Sequence, residues 1–497
     1  MDFLDPKQQH AHKVRLIVGY FLLGIAILCG TVILLYLTYG FSLNDDGKII
    51  QNGLIFVSST PSGSKLYVNG RPNASTNARL TLPTGTYTLQ VERTGYRTWE
   101  RAVTVEGGTV VRFDYALLFP QNLVTTTTKS YSTAPVIVTQ SLDRRWLLLE
   151  QPGKVGSFDM YDLSNIKKGS TAVTIPSSVL PSATPAKDLS VVSWANDNRH
   201  VLLEDTYHNA LEYILFDTQN PADSVNLTKT LNLDSTSSLT LQNEDYNNYF
   251  IYDSKTTVLG TASLNSTTVM PMLQYVLAYK TYGTNVVLYA TSQGAPTGDA
   301  KIMLYQNGTN YQLRTVTQDS TYLLNLTQYS GSWYVAVGSP VENRVYVYQD
   351  PATVLQNDAD APLVPVAVLK VQDPNYLAFS TSAQFIMAEN ANSFSVYDVR
   401  YDKSYAYTLS QPFDKPQQHA TWMDGDHLTY ISNGKVLVFD YDSANQQILQ
   451  SANPDYTPFF DTNYKYIYVI ASQPATTAKA APSATLTSTS LLIPADQ

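Results

Sequence analysis

The chain has 497 residues, enough for more than one domain. Charged residues make up 15% and hydrophobic residues 44%, a balance that excludes a disordered chain. The formal net charge of −9 argues against a nucleic-acid-binding protein, and the 36 tyrosines favour strands over helices. The single cysteine, Cys29, excludes an intrachain disulfide and a metal site built from cysteines.

Residues 16–43 form an apolar run without a charged side chain. About 20 apolar residues cross a bilayer as a helix, so we predict a transmembrane helix over 16–43 that follows a stub at 1–15. The alternative is a cleaved secretory signal, whose apolar region would be shorter and would precede a small-residue cleavage site. No such site follows this run, which favours an uncleaved signal anchor.

The charges that flank the apolar run predict its orientation. Lys7, Lys13 and Arg15 precede it, whereas Asp45 and Asp46 follow it closely. Because cytoplasmic flanks carry the excess of basic residues, we expect a cytoplasmic N-terminus and a single-pass cell-membrane protein. The bulk of the chain would then lie outside the cytoplasm.

Residues 51–119 are predicted to form a small all-β domain, with alternating apolar residues separated by tight turns. In the stretch TYTLQVE, for example, Tyr87, Leu89 and Val91 share one face. The predicted strands cover residues 53–58, 64–70, 78–82, 85–92, 101–105 and 109–118.

The turns of this segment follow a recognisable order, with PSGS at 61–64, LYVNG at 66–70, LPTGTY at 82–87 and Gly95-Tyr96. This order resembles the PEGA domain, a small β-sandwich of surface-layer and envelope proteins. The Glu and Ala that give the family its name are replaced here by Ser62 and Ser64. The resemblance implies a bacterial envelope protein.

The PEGA-like segment is basic, with a net charge of +3 over residues 52–118, whereas residues 119–497 carry −12. Basic residues close to a membrane attract anionic head groups or cell-wall polymers. The alternative is a spacer domain whose basic side chains only solvate its surface. A net charge of only +3 favours this alternative. The candidate contacts with an anionic surface are Lys65, Arg71, Arg93, Arg97 and Arg101.

Residues 120–475 repeat one pattern: a polar turn, an apolar strand, a second turn, and a strand that ends in Asp. The strand-end residues are spaced by about 40–55 positions, apart from one wider gap that holds two fainter copies. This period predicts a β-propeller of seven or eight blades. These aspartates should cap the turns that follow them, namely Asp162, Asp217, Asp350, Asp398 and Asp440.

The repeats resemble TolB-type and WD-repeat-like propellers, although only Asp424-Gly425 preserves the Asp-Gly turn of those families. We expect residues 459–472 to close the ring by pairing with a strand around 134–140. The tail at 476–497 is rich in Ala, Ser, Thr and Pro, and we expect it to be disordered.

The sequence offers little that indicates catalysis. Four histidines follow the apolar run, as two pairs with the same spacing: His200 with His208, and His419 with His427. We interpret the equal spacing as a product of diverged repeats, not as a metal site. Acidic clusters at 357–361 and 424–427 could hold calcium but are equally ordinary turn sequences. Hence we predict no catalytic residues, no metal and no cofactor.

These features predict an all-β ectodomain, a PEGA-like β-sandwich followed by a propeller, on one N-terminal transmembrane helix. We expect a non-enzymatic envelope protein whose propeller binds a protein or a cell-wall glycan, and no nucleic acid. One alternative is an envelope hydrolase or lyase with a site in the propeller channel. The other is a structural surface-layer or spacing element.

Overall fold

The computed structural model describes residues 6–38, 40–43, 47, 49–180, 188–207, 210–266, 268–359, 361–473 and 483–496. Two compact units divide the chain after Asn122, and Asp496 groups with the first of them. The first unit begins with helix α1, Pro6–Thr38. Its segment His12–Tyr36 is long and apolar enough to cross a membrane. The predicted end of the transmembrane helix at 43 is wrong, because Phe41–Leu43 forms a strand.

Eight strands complete the described part of the first unit. They are β1 Phe41–Leu43, β2 Ile49–Thr60, β3 Lys65–Val68, β4 Arg71–Ser75, β5 Ala78–Pro83, β6 Gly85–Glu92, β7 Trp99–Val105 and β8 Val110–Leu117. One sheet has the order β1-β2-β5. Its fourth strand, β8, pairs in parallel with β2, along the edge opposite to β5. The second sheet has the order β4-β3-β6-β7. All six strands predicted for this domain are present.

The PEGA-like turns have physical reasons. Asn69 and Gly70 both adopt positive φ between β3 and β4, a conformation that Asn and Gly tolerate best. The Asn69 side chain accepts a hydrogen bond from the Thr88 amide at 2.8 Å, which links this turn to β6. Between the sheets, Ile55, Leu89 and Trp99 are fully or almost fully buried. The alternation predicted from the sequence therefore forms a two-layer core.

In its described residues, the second unit is a β-propeller of eight four-stranded blades, seven of which are built from consecutive strands. Blade one comprises β10 Val138–Gln140, β11 Trp146–Glu150, β12 Ser157–Asp162 and β13 Ser170–Thr174. Blade two comprises β14 Asp188–Trp194, β15 His200–Tyr207, β16 Ala210–Asp217 and β17 Val225–Asn226. Blade three comprises β18 Ser237–Gln242, β19 Asp245–Asp253, β20 Val258–Ser263 and β21 Met270–Leu273. Blade four comprises β22 Val276–Tyr282, β23 Val286–Thr291, β24 Asp299–Gln306 and β25 Thr309–Thr317.

The next three blades repeat the same antiparallel order. Blade five comprises β26 Leu323–Tyr329, β27 Ser332–Ser339, β28 Arg344–Gln349 and β29 Ala367–Lys370. Blade six comprises β30 Tyr376–Phe379, β31 Phe385–Asn390, β32 Ser393–Asp398 and β33 Lys403–Thr408. Blade seven comprises β34 Thr421–Trp422, β35 His427–Ser432, β36 Lys435–Asp440 and β37 Gln447–Ser451. Two short helices, α2 Leu227–Thr230 and α3 Pro351–Asn357, lie in the connections.

Blade eight closes the ring with strands from both ends of the unit. Its order is β38 Phe459–Phe460, β39 Tyr466–Gln473, β40 Ser483–Ser490 and β9 Thr125–Tyr131. Two predictions are therefore wrong. The closing strand lies at 125–131 instead of around 134–140, and residues 483–490 of the expected disordered tail form a strand. This strand pairs on both edges, and Leu486 within it is fully buried.

Apolar side chains pack between neighbouring blades. The ring of Phe158 in blade one, for example, stacks on that of Phe216 in blade two at 5.7 Å between centroids. Fully burying such a side chain contributes about 1.5–3 kcal/mol. The predicted turn caps are confirmed for Asp162, Asp217 and Asp398, which accept hydrogen bonds from amides two residues further along the chain. Asp350 differs, because it accepts from the amide of Trp333 instead.

Candidate functional site

A cavity of about 280 Å³ opens where the chain enters the first strands of blades six, seven and eight. We call it the blade-seven cavity. First strands of neighbouring blades contact one another, so these are the innermost strands of the propeller. The lining residues are Tyr376, Gln417, Gln418, His419, Thr421, Thr429, Tyr430, Ile431, Pro454, Asp455, Tyr456, Thr457 and Pro458.

A histidine held by a buried carboxylate forms one wall of this cavity. Nδ1 of His419 lies 2.9 Å from Oε1 of Glu389, whose side chain is fully buried near the end of β31. The amide of Ala420 donates to both oxygens of Glu389, at 3.1 and 3.2 Å. The His419 ring stacks on Tyr376, with 4.3 Å between centroids and 6° between planes. The imidazole is therefore fixed in both position and orientation.

Burial dominates the electrostatics of Glu389. It raises the pKa of this carboxyl to about 7, against the opposing effect of the hydrogen bonds from His419 and Ala420. Removing a carboxylate from water disfavours its charged form, whereas a hydrogen-bond donor favours that form. Glu389 therefore titrates near neutral pH and is coupled to an imidazole that lines the cavity.

The remaining walls are held by hydrogen bonds to the backbone. The hydroxyl of Tyr430 donates to the carbonyl of Gln411 at 3.0 Å, and that of Tyr456 donates to the carbonyl of Pro135. The side chain of Gln418 donates to the carbonyl of Pro454. Since these side chains already have partners, their rings and amides stay in place without a ligand, which lowers the entropy cost of binding one.

The predicted pairs of histidines are not repeated units. His200 and His427 are equivalent, because each begins the second strand of its blade, in blades two and seven. In both, Nδ1 contacts the aspartate three residues earlier, at 2.5 Å from Asp197 and 2.7 Å from Asp424. His419 instead lies in the loop before blade seven, and His208 lies outside the described residues. The interpretation of the equal spacing as a product of diverged repeats is therefore wrong.

The acidic clusters lie in a turn and at the end of a helix. Asp424 accepts hydrogen bonds from the amides of Asp426 and His427, at 2.8 and 2.7 Å. The cluster at 357–361 begins at the last residue of α3, and the amide of Asp358 closes that helix by donating to Val354. Within the described ranges, no group of three or more His, Cys, Asp or Glu side chains could hold a metal ion.

The five basic residues proposed for an anionic surface do not share one environment. Lys65 and Arg71 are exposed. Arg93 donates to the carbonyl of Ser62 at 2.9 Å and forms an ion pair with Asp496. Arg97 is half-buried, and burial lowers the pKa of its guanidinium.

Arg101 does not fit the proposed surface contact. It is only 9% exposed, and its guanidinium lies over the rings of Phe113 and Tyr115, at 5.4 and 5.8 Å from their centroids. Such a stack is an interaction of the domain core, because the aromatic quadrupole attracts the cation away from water. The prediction for Arg101 is therefore wrong.

Sequence reasoning missed Glu389 and Tyr376, although it named His419. The one available signal was a carboxylate inside an apolar stretch, FIMAEN at 385–390. Charged residues are almost never fully buried unless they are paired, so this position called for a partner. Its partner is 30 positions away, in a loop with no pattern of its own.

Comparison with known proteins gives one family match and several similar folds. The family model described as PEGA domain matches residues 52–118. No curated protein sequence matches the chain. Similar solved structures include Kluyveromyces lactis Hsv2, with 12% identity, a TM-score of 0.37, and coverage of 64% of this chain and 98% of that one.

Two further structures are similar at the same level. The Dos1 propeller has 13% identity and a TM-score of 0.40, with coverage of 73% of this chain and 93% of that one. Oligogalacturonate lyase from Vibrio parahaemolyticus has 8% identity and a TM-score of 0.38, with coverage of 76% and 98%. The chain thus combines a PEGA domain and a β-propeller behind one apolar N-terminal helix.

Proposed function

We propose that this chain is a non-enzymatic envelope protein, held by α1 and exposed outside the cytoplasm, whose propeller binds a protein or a glycan. The observation that carries the proposal is the blade-seven cavity, a preformed concave site with aromatic walls and a few fixed polar groups. Ligand sites in proteins have this character, although 280 Å³ is near the lower end of their usual size. The PEGA domain acts as the stalk that presents the propeller.

The carboxylates around the cavity support binding over glycoside hydrolysis. That reaction uses two carboxyl groups that flank one bond. Of the lining residues only Asp455 is acidic, and it forms an ion pair with Lys415. Both oxygens of Glu389 already accept hydrogen bonds, and its side chain is not part of the lining.

One observation favours a second candidate function, an envelope hydrolase or lyase. A carboxylate that orients a histidine is the arrangement by which many enzymes position a general base. His419 and Glu389 have that geometry at 2.9 Å. Under this alternative, replacing His419 with Gln abolishes turnover of a cell-wall polymer while the polymer still binds.

Photocrosslinking in intact cells tests the proposal. Benzoylphenylalanine replaces Thr457, an exposed residue of the cavity, or Leu142, an exposed residue in the turn between β10 and β11. First strands run from one end of the propeller to the other, so Leu142 lies at the end opposite to the cavity. We expect a discrete crosslinked species from position 457 that position 142 does not give. Crosslinks only between copies of this chain would instead indicate a structural element and would overturn the proposal.

A further inference from the structure

We propose that the blade-seven cavity binds one uncharged sugar residue of a glycan, packed against its aromatic walls with its hydroxyl groups bonded to His419 and the neighbouring amides. This inference rests on the proposed function and narrows its ligand from a protein or a glycan to a neutral saccharide. It is carried by three properties of the cavity: its size, its balance of charge and the chemistry of its walls.

The size fits a small cyclic ligand. A volume of about 280 Å³ lies just below the usual range of small-molecule sites, about 300–1,000 Å³. A single sugar ring fills such a space, whereas a helix or a strand of a protein partner could insert only one side chain. A folded partner would therefore leave most of its contact area outside the cavity.

The charges of the cavity are compensated within the protein. The lining contains only two residues that can carry charge, His419 and Asp455. His419 pairs with the carboxylate of Glu389, and Asp455 pairs with the ammonium of Lys415. A charged ligand would have to leave water without finding an uncompensated opposite charge, which costs free energy. An uncharged ligand avoids that cost.

The walls match the two kinds of surface that a sugar presents. The C–H faces of a pyranose are apolar and pack on aromatic rings, which Tyr376, Tyr430 and Tyr456 supply. Its equatorial hydroxyls donate and accept hydrogen bonds, which amide and hydroxyl side chains can complement. Gln417, Thr421 and Thr457 provide such groups in the lining.

Glu389 acts as a positioning residue for this site. Its carboxylate occupies Nδ1 of His419, so Nε2 is the ring nitrogen left to bond a ligand hydroxyl. The stack on Tyr376 holds the ring plane so that this nitrogen keeps one direction. Binding should therefore depend on the protonation of Glu389, whose carboxylate holds the ring in place.

Calorimetric titration of the full-length chain in detergent micelles tests the inference. The neutral probes are chitotetraose, maltotetraose and mannotetraose, and the anionic probe is tetragalacturonate. We expect saturable binding of at least one neutral probe, and weakening by about tenfold or more on the change His419→Ala, as for the loss of a fixed hydrogen bond and a stacked ring. Leu142→Ala, at the opposite end of the propeller, should bind like the wild type.

Glu389→Gln separates positioning from simple destabilisation. We expect the affinity of the wild type for the same neutral probe to change with pH near 7, and that of Glu389→Gln to lose this change. The tryptophan fluorescence of the folded chain should be unchanged. If no neutral probe binds, or if only tetragalacturonate binds, the inference is wrong. In that case a discrete protein crosslinked from position 457 would still support the proposed function. If no neutral probe binds and no such crosslink forms, both the inference and the proposed function are overturned.

Discussion

Replacing His427 with Gln tests how the turn that begins β35 stabilises the propeller. The imidazole is 3% exposed, and its Nδ1 lies 2.7 Å from Oδ2 of Asp424. Burial alone would lower the pKa of His427, but Asp424, together with Asp440 and Asp426, raises it from 6.5 to about 9. The folded propeller thus holds the proton of this imidazole more tightly than the unfolded chain does.

The size of the effect follows from this rise in pKa. A rise of about 2.5 in pKa, at about 1.4 kcal/mol for each pH unit, contributes about 3.5 kcal/mol to the free energy of unfolding. Because the folded pKa is the higher one, this stabilisation is complete below about pH 6.5 and is lost as the pH rises through about 9. Burial also raises the pKa of Asp426 to about 7, so the measurement should stay above that value.

Urea unfolding of the full-length chain in detergent, followed by tryptophan fluorescence, measures the effect. Four of the five tryptophans lie in the propeller. Between pH 8 and pH 10, the wild type should lose about 1.3 kcal/mol more than His427→Gln does. Asp424→Asn should weaken the same dependence, since Asp440 and Asp426 remain. His200→Gln, at the equivalent position of blade two, controls for the loss of a packed imidazole. A constant difference between wild type and His427→Gln across this range would refute the reasoning.

Three further predictions concern closure of the ring and the basic residues of the PEGA domain. Deleting residues from 483 onward should leave an open propeller that is digested by protease at low concentration, because burial of Leu486 alone contributes about 1.5–3 kcal/mol; a digestion pattern like that of the intact chain would contradict this. Arg101→Ala should lower the free energy of unfolding of the PEGA domain by about 1–2 kcal/mol, since a desolvated cation over aromatic rings is lost, whereas Lys65→Ala should change it by less than about 0.5 kcal/mol. Lys65→Glu combined with Arg71→Glu should weaken sedimentation of the chain with anionic lipid vesicles at low salt if these exposed residues contact such a surface, and unchanged sedimentation would leave them as solvating residues of a spacer.

Much of the fold could be predicted because local patterns carry it. The strand that contains Leu89 and Val91 alternates as its burial does, and the turn at Asn69 needs residues that accept positive φ. The propeller repeat was visible because Asp217 and Asp398 end equivalent strands and cap the turns after them. In each case the deciding interactions lie within a few positions of one another.

The closing blade could not be predicted, because its strands look like a polar tail. Thr485, Thr487 and Thr489 of β40 are buried, and the hydroxyl of Thr489 is bonded to that of Thr125 in β9 at 2.7 Å. Threonine can be buried when its hydroxyl finds a partner, and here the partner is more than 300 positions away. For the same reason the sequence could not distinguish seven blades from eight, since the eighth uses strands from both ends of the propeller.

The candidate site could be predicted only in part. His419 was recognisable as a histidine outside the apolar N-terminal segment, but nothing local indicated that it meets Glu389 and Tyr376. These three residues come from a loop and from two strands of blade six, and they converge only because the blade pairs Tyr376 with Glu389 across its first two strands. Such convergence is a property of the folded sheet.

Cysteine labelling in intact cells tests the central claim, that one helix holds the propeller outside the cytoplasm, most directly. The only native cysteine, Cys29, is first replaced with Ser, and single cysteines are then introduced at Lys7 or Thr457. The cells are stripped of their wall and treated with a membrane-impermeant maleimide. We expect labelling of position 457 at once, and of position 7 only after the membrane is permeabilised. Labelling of position 7 with protection of position 457 would contradict this claim.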